Sequence, residues 1–192
     1  MLCWHVPYWD RLGWKDPYGD ERHTARQKRY QRALKLRGLQ TPHLFVGNKP
    51  VRTAAEINSR IEAGAKESPK LGVVATATFK KGKVTAKAQL KLLDKEFELD
   101  EEVTLQPVLF QRKVITDCEK GENEGRTLHE YFVVVASADS VPASKAVEKA
   151  LEFKLTAPKG VKADDLGVAL LVERPDTMQT IECWHLPVAV AK

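Results

Sequence analysis

Hydrophobic and polar positions follow two different patterns along the chain. Before residue 67, short apolar runs alternate with stretches of helical spacing, whereas beyond residue 70 apolar and polar residues alternate with a period of two. Helical spacing predicts amphipathic helices, and a period of two predicts half-buried strands. We therefore expect two units, residues 1–66 and 71–192, joined by a linker at 67–70.

The first unit is predicted to mix strands and helices. An apolar run at its start predicts a buried strand that Pro7 ends, because proline has no amide donor. Thr53 and Glu56 form a capping box at the start of a later helix. The order strand, helix, strand, turn, strand, helix is that of the second half of a thioredoxin-type fold. The predicted elements are strand 1–6, a loop, helix 24–37 with a stop at Gly38, strands 43–46 and 51–52, and helix 53–65.

The second unit is predicted to contain strands alone. Runs at 71–79 and 83–93 flank Lys80-Lys81-Gly82, a β-hairpin signal. Seven short strands separated by turn signals predict an all-β sandwich. The expected fold class is α+β or α/β, with an incomplete thioredoxin-like N-terminal domain followed by an all-β sandwich-like C-terminal domain. The remaining predicted strands are 103–115, 128–137, 147–155, 166–173 and 180–190.

Charge supports the division into two units. The 192 residues are 43% hydrophobic and 30% charged, as is usual for globular proteins. Residues 1–70 carry 14 Lys or Arg and 7 Asp or Glu, whereas residues 71–192 carry 17 and 19. The basic helix lacks aromatic residues on its charged face, so we interpret that face as solvated and predict no nucleic-acid partner.

Targeting and membrane signals are not found in the sequence. No apolar run reaches the roughly eighteen residues that a membrane span needs. Met1 leads directly into an apolar run without a basic segment before it, so we predict no signal peptide.

The three cysteines contain no Cys-x-x-Cys pair, which excludes an internal dithiol of that spacing and a four-cysteine zinc site. We interpret them as buried thiols that behave as small hydrophobes, with a Cys118–Cys183 disulfide as the alternative. Cys183 and His185 share one face of a predicted strand, but two ligands do not make a metal site. Neither a metal nor a cofactor is predicted. The segment 121–125 is interpreted as a turn, with cation binding by Glu119, Glu122 and Glu124 as the alternative.

Aromatic and ionisable side chains are most concentrated in residues 4–17, which contain three of the four tryptophans. One interpretation is a substrate-facing rim in which His5 or Asp10 carries a proton. The other, which we favour, is a loop packed onto the first helix, with Asp10 and Asp16 accepting loop amides or pairing with Arg11 or Arg26. No nucleophile completes a triad, so no catalytic residue is predicted. The candidate rim consists of His5, Tyr8, Trp9, Asp10, Trp14 and Asp16.

Residues 5–17, Thr24-Ala25-Arg26-Gln27 and Thr41-Pro42 together resemble a thioredoxin-like family known as domain of unknown function 1223 (DUF1223). Residues 121–128 resemble the signature of its β-rich part. The resemblance implies a thioredoxin-like domain followed by a β-sandwich, often in exported bacterial proteins. Members begin with a strand and a Cys-x-x-Cys-Pro segment, which are absent here, and this chain has Pro7 where relatives carry aspartate. The resemblance also implies a cis Pro42 beside an extended substrate.

The sequence is compatible with two functions. The first is a thioredoxin-like module without its redox dithiol, a non-catalytic binding or structural protein whose partner is an extended peptide or protein. The alternative is a thiol-disulfide oxidoreductase whose Cys-x-x-Cys lies upstream of a mis-assigned start. Strands 1–6 and 43–46 are expected to lie parallel, which would bring loop 7–17 and Thr41-Pro42 to one edge of the sheet. Strand 1–6 would then expose an edge through which the chain self-associates.

Overall fold

The structure is a computed structural model that describes residues 1–191. A short 3-10 turn, Pro7–Leu12, precedes the first helix. The helices are α1 Glu21–Ala33, α2 Ala54–Gly64 and α3 Ala143–Glu148, and the strands are β1 Leu44–Val46, β2 Lys49–Val51, β3 Leu71–Lys80, β4 Lys83–Leu92, β5 Thr104–Asp117, β6 Thr127–Ser137, β7 Val141–Pro142, β8 Leu151–Thr156, β9 Leu166–Arg174, β10 Gln179–Pro187 and β11 Ala189–Val190.

The strands after residue 70 form two sheets, as predicted. One has the order β11-β3-β4-β8, and the other has the order β10-β9-β5-β6, with β7 paired to β5. The β3–β4 hairpin closes through Lys81 and Gly82, at φ of 49° and 76°. Two consecutive positive φ angles are typical of the tight turns that match strand twist. The predicted hairpin is therefore confirmed.

The main core lies between the two sheets and includes Val84, Leu105 and Leu170, all buried. A second apolar cluster lies on strands β5, β6 and β9 and contains Val108, Phe110, Val134, Ala169 and Leu171. Leu2 and Trp4 pack against this second cluster. Strand β9 is buried at eight of its nine positions for this reason, because both faces of its sheet are covered.

The predicted strand 1–6 is wrong in its extent and in its partner. Only Cys3 makes a bridge, and it lies parallel to Val133 of β6 rather than beside β1. The Cys3 amide donates to the Phe132 carbonyl at 2.9 Å, and the Val134 amide donates to the Cys3 carbonyl at 2.9 Å. The first apolar residues lie on the sandwich instead of starting a sheet of their own, because Leu2 and Trp4 bury apolar surface of the second cluster. The strand edge through which self-association was expected is therefore not formed.

Strands β1 and β2 form the predicted hairpin, but they make a separate two-stranded sheet. The parallel sheet expected within residues 1–66 is therefore not formed. The described residues form a mixed α+β fold. The Thr53–Glu56 capping box of α2 is confirmed, with both of its hydrogen bonds present.

Helix α1 begins and ends three to four residues before its predicted bounds. Asp20 caps it, because its Oδ1 accepts the Arg22 amide at 2.8 Å. Lys35 ends it with a φ of 51°, and the Leu36 amide then donates to the Gln31 carbonyl at 2.9 Å. The predicted stop at Gly38 is therefore wrong.

Two predicted strands of the sandwich also need correction. Val147 lies in α3, and strand β8 begins only at Leu151, because the buried Ala143 and Ala146 dock a helical turn instead. The run 180–190 is divided after Pro187, so that β11 crosses to pair in parallel with β3.

Candidate functional site

The aromatic segment, residues 4–18, crosses the outer face of the sandwich and ends beside the β5–β6 connection. Its 3-10 turn begins at Pro7, whose fixed φ suits the first helical position. Gly13 ends the turn at a φ of 103°, with its amide donating to the Asp10 carbonyl at 3.1 Å. Such a φ favours glycine.

His5 lies between two carboxylates. Its Nδ1 is 2.7 Å from Asp16 Oδ2, and its Nε2 is 3.4 Å from Glu130 Oε1 on β6. Burial opposes protonation of the imidazole, but the hydrogen bond to Asp16, the contact with Cys3 and the negative charges of Asp16 and Glu130 outweigh it and raise the pKa of His5 to about 10. His5 is therefore an imidazolium cation near neutral pH, which joins the segment to β6.

Asp16 and Asp10 organise the loop itself. Burial opposes ionisation of Asp16, yet hydrogen bonds from His5 and the Tyr18 amide lower its pKa below the ordinary value. The Tyr18 amide donates to Asp16 Oδ1 at 2.8 Å, and the Asp16 amide donates to Asp10 Oδ1 at 3.2 Å. Both carboxylates accept loop amides, which agrees with the interpretation that the sequence favoured.

Trp14 packs against the turn that joins β5 to β6. Gly121 in that turn has a φ of 78°, and a Cβ placed on it would lie 3.0 Å from the Trp14 Cβ. The segment 121–125 is thus a turn against which the aromatic segment closes.

Tyr8 and Trp9 connect the segment to α1 and to the loop before β1. The Tyr8 hydroxyl donates to Gln27 Oε1 at 3.1 Å, and Gln27 Nε2 donates to the Gln40 carbonyl at 2.8 Å. Trp9 Nε1 donates to Thr41 Oγ1 at 2.7 Å. Loop 7–17 and Thr41 therefore meet, although not through the parallel sheet from which their meeting was predicted.

Five residues at this meeting point form what we call the Trp9 rim. The Trp9 ring lies 5.4 Å from the Tyr8 ring, with the Arg11 guanidinium 4.8 Å above it. The Thr41–Pro42 peptide bond is cis, and both residues are exposed. Trp9 itself is 42% exposed. The Trp9 rim consists of Tyr8, Trp9, Arg11, Thr41 and Pro42.

The predicted rim residues therefore divide into two groups. Tyr8 and Trp9 lie at the Trp9 rim with Thr41 and Pro42. His5, Asp10, Trp14 and Asp16 are occupied by contacts within the protein, mainly at the β5–β6 end of the sandwich.

Sequence reasoning missed the contact that fixes α1 on the sandwich. Arg26 donates from Nη1 to Glu173 Oε2 at 2.8 Å and from Nη2 to Oε1 at 2.5 Å, with both side chains buried. Its guanidinium lies 4.7 Å from the Trp4 ring centroid, and the Trp4 ring meets His23 edge-on at 5.1 Å. No sequence pattern around Glu173 indicates that it pairs with Arg26, which lies 147 positions earlier.

None of the three cysteines in residues 1–191 forms a disulfide. Cys3, Cys118 and Cys183 are all free, and only Cys118 is buried, so the interpretation of three buried thiols is wrong for Cys3 and Cys183. Within residues 1–191, no three His, Cys, Asp or Glu side chains are arranged to hold a metal ion. No helix in the same range has the length and apolar character required to cross a membrane.

Comparison with solved structures shows the fold. Protein AGR_C_4864 from Agrobacterium tumefaciens superposes with a TM-score of 0.65 at 21% identity, covering 96% of this chain and 78% of that chain. A domain of the outer membrane lipoprotein Omp28 from Porphyromonas gingivalis aligns at a TM-score of 0.40 and 13% identity, over 66% of this chain and 93% of that one, which is too weak to inform the fold. No curated protein matches this chain.

Residues 1–173 match the profile of the family described as "Protein of unknown function (DUF1223)". This match confirms the family resemblance that the sequence motifs indicated. The chain belongs to the DUF1223 family.

Proposed function

We propose that this protein is a non-catalytic binding module and that its Trp9 rim recognises a segment of another polypeptide. The observation that carries the proposal is the state of Trp9, whose ring is held in place and yet is 42% exposed. Trp, Tyr and Arg are the residues most enriched at the energetic centres of protein interfaces. All three residue types occur together at the Trp9 rim.

The fixed orientation of the ring favours binding. The hydrogen bond to Thr41 and the contacts with Tyr8 and Arg11 restrict the Trp9 side chain before any partner arrives. Ordering a side chain at an interface costs about 0.5–1.5 kcal/mol, and a ring that is already ordered avoids most of that loss. The exposed Pro42 adds a rigid apolar neighbour.

The remaining acid–base groups support a binding role over a catalytic one. A proton carrier needs a pKa near the working pH, whereas the pKa of His5 is about 10. Asp16 and Glu130 both face His5 and hold its ring between them. These groups therefore hold the segment on the sandwich and leave the Trp9 rim as its outward-facing part.

Selection from a random dodecapeptide phage library tests the proposal. We expect clones that bind the wild-type protein and lose most of their affinity for Trp9→Ala. Tyr131→Ala is the matched control, because Tyr131 is an aromatic residue of β6 that is 50% exposed and lies outside the rim. Enriched clones that bind the Trp9→Ala protein as well as the wild type, or a selection that enriches no clone, would contradict the proposal.

A further inference from the structure

The two sheets of the sandwich end at strands whose outer sides face one cleft. Strand β6 ends the five-stranded sheet and β8 ends the four-stranded sheet. The cleft between them has a volume of about 540 Å³. We call it the edge cleft, and it is lined by 134–137 of β6, 154–158 at the end of β8, and 17–20, Arg22 and His23 from the start of α1 and the loop before it.

Both strands offer backbone groups to this cleft. Strand β8 pairs with β4 on one side, and no strand pairs with its other side within residues 1–191. Strand β6 pairs with β5, and among the described residues its outer side carries only the Cys3 bridge at Val133. Unpaired amide and carbonyl groups along a strand edge are a template for a further strand.

The first residues of the chain begin to pair with the outer side of β6 and then turn away from it. Cys3 makes two backbone hydrogen bonds to β6, at Phe132 and Val134, in the manner of an added parallel strand. Two residues later, the His5 carbonyl accepts the Asp20 amide at 3.3 Å and no longer faces β6. Residues 135–137 therefore continue an edge on which backbone pairing has already begun.

The side chains of the edge cleft favour an acidic partner. Arg22 is paired with Asp20 at 2.5 Å, so those two charges neutralise each other. Lys154 is exposed and makes no ion pair with any residue from 1 to 191, while its neighbour on the same face, Glu152, is paired with Lys87 at 3.2 Å. Leu155 lies on the opposite face of β8 from Lys154 and is buried in the main core.

We propose that the edge cleft binds an extended peptide that adds a strand at the free edge of the sandwich, with an acidic side chain of the peptide placed against Lys154. Backbone hydrogen bonds supply affinity in this mode of recognition, and alternate side chains supply specificity. Because side chains alternate along a strand, the added peptide has apolar residues on the face that Leu155 occupies and acidic residues on the face that Lys154 occupies. This site is separate from the Trp9 rim.

The test uses a fluorescein-labelled hexapeptide of alternating valine and glutamate, which matches the six residues of β8. We expect saturable binding by fluorescence anisotropy that Lys154→Glu weakens by about tenfold or more. Lys91→Glu makes the same charge change on β4 outside the cleft and should leave the affinity unchanged. A hexapeptide of valine and lysine, and a valine–glutamate hexapeptide with alternate backbone amides methylated, should not bind.

Several results would overturn the proposal. One is no binding of the valine–glutamate hexapeptide, and another is binding that survives amide methylation, since strand addition needs those donors. A dimer in sedimentation velocity that Lys154→Glu dissociates would assign the edges to a second copy of the chain instead. Trp9→Ala should leave hexapeptide binding intact, so failure at the Trp9 rim and failure at the edge cleft are distinguishable.

Discussion

Arg26 of α1 and Glu173 of β9 form a buried ion pair with two hydrogen bonds, at 2.8 and 2.5 Å, across 147 residues of sequence. The fork geometry satisfies both carboxylate oxygens, and the Thr180 hydroxyl donates to Oε1 at 3.3 Å. Burial is the largest single influence on the pKa of Arg26 and lowers it. The hydrogen bonds to Glu173 and the negative charge of Glu173 together raise that pKa above its ordinary value. This pair makes the position of α1 depend on the sandwich.

Removing one partner of this pair should be strongly destabilising. Arg26→Met or Glu173→Leu alone leaves an uncompensated buried charge, and we expect each to lower the free energy of unfolding by about 3–5 kcal/mol. The double variant should recover most of the loss, because neither charge remains. Urea denaturation measures all three, and a double variant no more stable than the worse single variant would contradict this account.

The pH dependence of stability should reveal the His5 imidazolium. Because its pKa in the folded protein is about 10 and its ordinary value is 6.5, its stabilising contribution is complete below pH 6.5 and is lost as the pH rises through 10. The pKa of Asp16 is lowered, so its contribution is complete above its ordinary value of 3.8 and is lost on acidification below it. The interaction is therefore strongest between pH 3.8 and 6.5.

We expect the difference in unfolding free energy between the wild type and His5→Gln to be about 2 kcal/mol at mildly acidic pH. The difference should shrink steadily toward pH 10. Thermal or urea unfolding over that range measures it. A difference that is constant with pH, or that grows on the alkaline side, would show that His5 is not held as a cation.

The contact between Trp14 and the β5–β6 turn can be tested with two glycines. Gly121 and Gly125 have φ of 78° and 75°, so alanine is strained at both. An added Cβ at Gly121 meets the Trp14 Cβ at 3.0 Å, whereas a Cβ at Gly125 would meet no atom of residues 1–191 within 4 Å. Gly121→Ala should therefore cost about 1–3 kcal/mol more than Gly125→Ala in urea denaturation. Equal losses would mean that Trp14 does not rest on this turn.

Much of the sandwich could be predicted because its signals are local. The alternation of buried and exposed residues along β4 marks a strand with one face in the core. Gly82 marks the β3–β4 turn, since its φ of 76° suits glycine. The capping box of α2 likewise lies within four adjacent residues, Thr53 to Glu56.

Contacts between distant segments could not be predicted in the same way. An apolar run such as residues 1–6 can cover any exposed hydrophobic surface, and its partner Val133 lies far along the chain. Lys35 ends α1 in a left-handed conformation, and a lysine in the sequence does not indicate that conformation. The concentration of aromatic residues in the sequence marked the aromatic segment as the candidate site. Which of its side chains make internal contacts and which stay exposed depends on three distant parts of the chain: β6, the β5–β6 turn and the loop before β1.

Trp4 and Trp9, five residues apart in one segment, have opposite roles. Trp4 packs on the second apolar cluster and against Arg26, whereas Trp9 is 42% exposed at the Trp9 rim. The most direct test is urea denaturation of Trp4→Ala and Trp9→Ala side by side. We expect Trp4→Ala to lower the free energy of unfolding by about 3 kcal/mol and Trp9→Ala by less than about 1 kcal/mol. Equal losses, or a larger loss for Trp9→Ala, would contradict the account.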